Sequence, residues 1–176
     1  MTLVIATHLP HSYAELLDEV HRGRPKPQAL SALALITLGD WARVSDADAA
    51  SATHIVGVHN GCIVSAYQAT SYRRTATGRV RWAGGPADDF AGHIGDRVPG
   101  GAWGQGQARP LRTITLAPKA HPRGLGVLGA VWELLTADGP AADEALLARV
   151  HLTATAGRVT IKVPAGTSVL VDQVPA

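Results

Sequence analysis

Asn60-Gly61 stands between "THIVGVH" and "CIVSAYQAT", two runs rich in strand-forming residues. Both central residues of a type I′ turn need positive φ, which Asn and Gly tolerate, so the dipeptide predicts a tight hairpin. "SYRRT" and "RVRWAG" then flank "ATG" and extend the hairpin into an antiparallel meander. "LRTITL", residues 111 to 116, returns to alternation and reads as a closing strand. Strand signals recurring every roughly 8 to 12 residues argue for a small barrel or sandwich.

Helical signals surround this core. "SYAELLDEVHRG" predicts a helix with Ser12 as N-cap and Glu15 completing a capping box, its apolar face carried by Tyr13, Leu16, Leu17 and Val20. The prolines of "GRPKPQ" end it and leave a basic loop. "ALSALALITLGDWARVS" is ambiguous, since Ala and Leu favour helix while "LITL" suits a buried strand; a strand over about Leu33 to Leu38 is the expectation. "DADAASA" supplies a helix-compatible step, and Pro86 to Ala91 a single helical turn inside a Gly/Pro-rich excursion. Beyond residue 118 the character changes. "LGVLGAVWELLTADG" and "PAADEALLARV" predict helices, and "HLTATAGRVTIKVPAGTSVLVDQV" a terminal hairpin or meander, so a barrel module over residues 1–117 and an α+β extension over 118–176 are expected.

The 176 residues are 46% hydrophobic, enough for a real core. A net charge of +2 decides nothing about nucleic acid, but its distribution is uneven. Residues 60–116 hold seven arginines (73, 74, 79, 81, 97, 109 and 112) against Asp88, Asp89 and Asp96. Arginine suits phosphate forks, although a GC-rich genome would give the same bias. A single Cys62 rules out an intramolecular disulfide and a multi-cysteine zinc site. The N-terminus lacks a basic start and a long apolar run, and no apolar stretch is long enough to span a bilayer, so a cytoplasmic location and no membrane contact are expected.

The order of these features resembles the PUA-like, EVE-related β-barrel domains over residues 12–116. The likeness is carried by a polar helix ending in "HRG", a strand containing Trp41, the hairpin Val58 to Tyr67, the turn Gly95 to Pro99 in "IGDRVPGG", and the closing strand Gln107 to Arg112. Arg109 and Thr113 depart from the family pattern, which prefers Asn and Tyr there. The resemblance implies an α+β fold built on a small, mostly antiparallel barrel with flanking helices. It also implies nucleic-acid binding, with a modified or unpaired base held in an aromatic pocket.

On that reading Arg73, Arg74, Arg79, Arg81, Arg109 and Arg112 contact phosphates, and Trp41, Tyr67 and Trp103 are the stacking candidates. Trp103 stands out because its Gly-rich flanks in "GGAWGQGQ" leave little to pack it. Arg74 and Arg79 are expected to face each other across the second hairpin, an unfavourable pairing unless an anion screens it. Alternation puts Arg79 and Arg81 on one sheet face, with Val80 and Trp82 on the other. The bland alternatives are a solvated arginine rim and core aromatics.

No cofactor is implied. Gly104-x-Gly106 follows no strand and precedes a proline, so it is not a dinucleotide fingerprint. The histidines offer no metal spacing: His8 and His11 straddle a proline, and His54 and His59 should point to opposite faces of one strand. No nucleophile elbow, metalloprotease, P-loop or kinase motif is present. Two rival functions remain open. One is a protein partner or self-association through residues 124–136, where Leu125, Leu128, Val131, Trp132 and Leu135 share a helical face; the other is an enzyme acting on a base or nucleotide.

Overall fold

The structure is a computed structural model that describes residues 2–103 and 111–137 and the strands His151–Thr155 and Arg158–Lys162. The hairpin forms as its sequence demands. Asn60 and Gly61 take φ of 48° and 80° and join β2 (His54–His59) to β3 (Cys62–Arg74). β3 then turns back into β4 (Val80–Pro86). β1 (Thr2–His8) runs parallel to β2, and β5 (Leu111–Leu116) runs antiparallel to β1. The resulting order is β4-β3-β2-β1-β5.

This is a five-stranded mixed sheet with flanking helices, an α+β architecture. It is open: β4 and β5 lie at its two ends, and no strand pairing joins them among the described residues. The closed barrel implied by the resemblance is therefore replaced here by an open sheet.

The parallel β1–β2 pair needs a crossover. It is provided by α1 (Ser12–His21), α2 (Lys26–Leu38) and α3 (Asp46–Ser51). α1 buries Tyr13, Leu16 and Val20 as its periodicity requires. Its cap is a correction: Ser12 is already helical, His11 precedes the helix, and the Glu15 N–H bonds the His11 carbonyl rather than a capping side chain. The strand expected over Leu33–Leu38 is also corrected, because that run belongs to α2. Pro27 sits in the first turn, where its missing N–H costs nothing, and the Ala and Leu that follow are strong helix formers. Trp41 lies outside any strand, yet its backbone exchanges hydrogen bonds of 2.8 and 2.9 Å with Val80 and so extends the sheet beside β4. α3 is capped by Ser45, whose Oγ accepts from the Asp48 N–H at 3.0 Å.

Alternate residues of β1 feed two cores. Val4 and Ala6 join a large cluster with Leu16 of α1, Leu33 of α2, Val58 and Phe90. Ile5 joins a second cluster with Leu38, Val44, Ala49, Ile55, Tyr67, Val80 and Trp82. α2 serves both because it is apolar around much of its circumference. Residues 88–93 form a 3-10 turn that inserts Phe90 into the large core.

α4 (Val127–Thr136) adds Val127, Val131 and Leu135 to that same core, and Asp88 accepts from the Val127 N–H at 2.8 Å to satisfy its first turn. The chain accordingly divides into units of residues 1–137 and 138–176, so α4 lies in the first unit although sequence placed it in the extension. Of the second unit, β6 (His151–Thr155) and β7 (Arg158–Lys162) form an antiparallel hairpin. The helix expected over "PAADEALLARV" lies outside the described residues. No described helix is long and apolar enough to cross a membrane.

Candidate nucleic-acid interface

Parallel pairing carries the ends of β1 and β2 to one edge of the molecule. His8 closes β1 opposite Val58, and His59 closes β2 one residue later. α1 starts beside them, and the His59 Nδ1 lies 2.9 Å from the Leu9 carbonyl, which fixes the ring with its Nδ1 proton donated to that oxygen. Tyr13 packs on the His59 ring at 4.9 Å between centroids. Across the hairpin Cys62 pairs with His59 on one side and Arg97 on the other, because residues 95–98 run along the start of β3.

Trp103 completes this edge. Its ring stacks on His8 with centroids 4.9 Å apart and planes 3° from parallel. The Arg112 guanidinium lies 4.0 Å from the same ring. Arg112 is held there by the Gly100 and Gly101 carbonyls, which accept from its two terminal nitrogens. Its Nε–H is buried with no hydrogen-bond acceptor. Burial lowers the Arg112 pKa. Burial, followed by the nearby His59, Arg112 and His11, lowers that of His8 below 6.5. His8, Trp103 and Arg112 thus form a stacked edge, with His59 and His11 nearby.

The β3–β4 hairpin differs from expectation in register. Arg73 faces Arg81, and Arg74 faces Val80, rather than Arg74 facing Arg79. The like charges are separated by intramolecular partners. Arg81 forms a two-pronged ion pair with Asp40 at 2.8 and 2.5 Å, which holds the Asp40 carboxyl below its usual range. Arg74 bonds Asp46 at 2.9 Å together with the Val44 and Gly78 carbonyls. Arg79 donates to the Asp40 carbonyl at 3.3 Å and Arg73 is exposed, and both help to hold the Asp40 carboxyl down. Val80 and Trp82 point into the core, as alternation requires.

The aromatic candidates separate. Trp103 belongs to the edge. Trp41 is half-buried, donating its indole N–H to the Thr37 carbonyl at 2.9 Å. Tyr67 is 3% exposed inside the second core, where burial raises its pKa and leaves its hydroxyl unpartnered. Arg109 lies outside the described residues.

His8, His59 and Tyr13 were missed as site residues because nothing local brings them together; the signal was two His-ended strand runs of equal character. The His54 ring packs on Phe90 and the His59 ring on Tyr13, while the register between β2 and β3 skips Val64, a bulge in β3. Among the described residues no group of three His, Cys, Asp or Glu side chains is arranged to hold a metal ion.

No known protein family, curated protein or solved structure matches this chain.

Proposed function

We propose that this chain is a nucleic-acid-binding module of the PUA-like kind, which holds an unpaired base at the Trp103 edge. The stack of His8, Trp103 and Arg112 is the observation that supports it. A base extends such a stack on imidazole or guanidinium planes, a contact worth roughly 1–3 kcal/mol. His11 and His59 lie near His8, and Arg97 pairs with Cys62 beside His59, which suits adjoining phosphates. Arg73 and Arg79, at the opposite end of β3 from Cys62, form a separate basic group suited to phosphates of a longer strand. Arg74 and Arg81 act mainly within the protein, since each already has a carboxylate partner.

The test is a titration of the full chain with labelled single-stranded and duplex oligonucleotides at two salt concentrations. Binding should favour single strands, weaken with salt, and fall by about tenfold or more in Trp103→Ala. Affinity indifferent to both salt and Trp103 would refute the proposal.

A further inference from the structure

α2 carries no charged side chain after Lys26; "PQALSALALITL" has only Gln28, Ser31 and Thr37 as polar groups. Its inner side feeds both cores, through Leu33 and Leu38. A surface helix ordinarily turns charge to solvent, so an uncharged outer side marks a helix that is covered there too. Leu35 stands on that outer side, 64% exposed.

Leu35 separates two depressions of about 460 and 340 Å³. One is lined by Arg24, Pro27, Gln28 and Ala32, the other by Ala34, Leu38, Gly39, Arg81 and Trp82, and Ser31 and Leu35 belong to both. They form one trough along α2, whose 13 residues span about 20 Å. The middle of the trough is apolar and its ends are basic. Past the start of α2 a more polar hollow continues it, lined by Arg22 and Arg24 against Glu19. At the other end Arg73, Arg79 and Arg81 surround Asp40.

We infer that this trough docks an acidic amphipathic helix of a partner protein. The two depressions lie about 10 Å apart along α2, which is the rise between positions i and i+7 of a helix. Two apolar side chains at that spacing fill them on either side of Leu35, as in other helix-in-groove contacts. Carboxylates near the ends of the docked helix then meet Arg24 and Arg81. Charge and ring exposure argue against the other occupants. A second copy of α2 would bring basic ends onto basic ends in either direction, and a nucleic-acid strand would find only Trp82 to stack on, a side chain 3% exposed. The inference is independent of the nucleic-acid reading above.

The test uses a fluorescein-labelled, alanine-based helical peptide of about 16 residues, with Leu at two positions seven apart and Glu in its first and last turns, followed by anisotropy against the full chain. It should bind, and exchanging its leucines for Ala or its glutamates for Gln should each weaken binding at least about tenfold. Leu35→Gln should weaken it equally yet melt as the parent does, because the site is exposed and Gln keeps helix propensity. Arg24→Glu should also lose the acidic peptide, and one of two peptides with Lys in a single end turn should restore binding. Trp103-dependent oligonucleotide binding should be unchanged in Leu35→Gln. No binding, or binding indifferent to Leu35 and to the peptide leucines, would overturn the docking site. A parent dimer in sedimentation equilibrium that dissociates in Leu35→Gln would give the trough to a second copy, and loss of oligonucleotide affinity in that variant would give it to nucleic acid; either result overturns the proposal.

Discussion

Ser65 shows how a single buried hydroxyl ties the sheet to its helix. It is fully buried, lies 2.8 Å from the Thr37 hydroxyl of α2, and accepts from the Gly57 N–H at 3.2 Å beside the β3 bulge at Val64. Gly57 has no room for a side chain, since a Cβ there would meet Ser65 Oγ at 2.4 Å. Ser65→Ala removes one partner and strands two buried polar groups, so it should cost about 1–3 kcal/mol in urea unfolding. A smaller loss would mean that another group takes over. At the other edge, His8 titrates in a direction set by its neighbours. Burial and the adjacent His59, Arg112 and His11 depress its pKa below 6.5, so the folded chain should lose stability as pH falls beneath that value. A phosphate placed beside the ring reverses this by favouring the protonated form. Oligonucleotide affinity should therefore rise from about pH 7.5 to about pH 5.5, with proton uptake, and His8→Gln should flatten that rise. An equal rise in His8→Gln would assign the proton to another group.

The β3–β4 hairpin divides its arginines by what each already touches. Arg74 and Arg81 form direct ion pairs with Asp46 and Asp40, whereas Arg73 and Arg79 form no direct ion pair among the described residues and act on the Asp40 carboxylate only through space. Replacing Arg73 and Arg79 together with Ala should lower the slope of log affinity against log salt by about 1–2, as the loss of two phosphate contacts requires. The Arg74 and Arg81 pair should alter that slope less and thermal stability more. The reverse ranking would show that ligand displaces the carboxylates. At the level of elements, the turns were legible because their chemistry is local: Asn60-Gly61 and Gly78 each supply a positive φ that few residues adopt. α2 was not. Its apolar residues cover both sheet-facing directions, Leu33 entering one core and Leu38 the other, so no helical stripe separates it from a buried strand. The register of the second hairpin also escaped by one residue, which changed the facing pair from Arg74–Arg79 to Arg73–Arg81.

Over the whole chain, the candidate site was only partly legible, for a topological reason. Trp103 and Arg112 could be singled out by composition, but their stacking partner His8 is placed by parallel pairing of strands about fifty residues apart, and sequence patterns do not report which strands are neighbours. The limit of the first unit was hidden in the same way. "LGVLGAVWELL" follows a Pro/Gly-rich stretch and reads as the start of something new, yet α4 is part of the core around the sheet. Val127, Val131 and Leu135 are at most 1% exposed, and Asp88 caps the helix from thirty-nine residues upstream. Burial of three such side chains contributes on the order of 5–9 kcal/mol, comparable with the entire stability of an ordinary domain. A chain ending at Ala137 should therefore unfold cooperatively and keep Trp103-dependent binding, whereas one ending at Ala117 exposes the large core and should lack a cooperative transition. Circular dichroism melts of the two truncations decide between this boundary and one near residue 118. A cooperative melt of the shorter chain would show that the sheet and its first three helices suffice without α4.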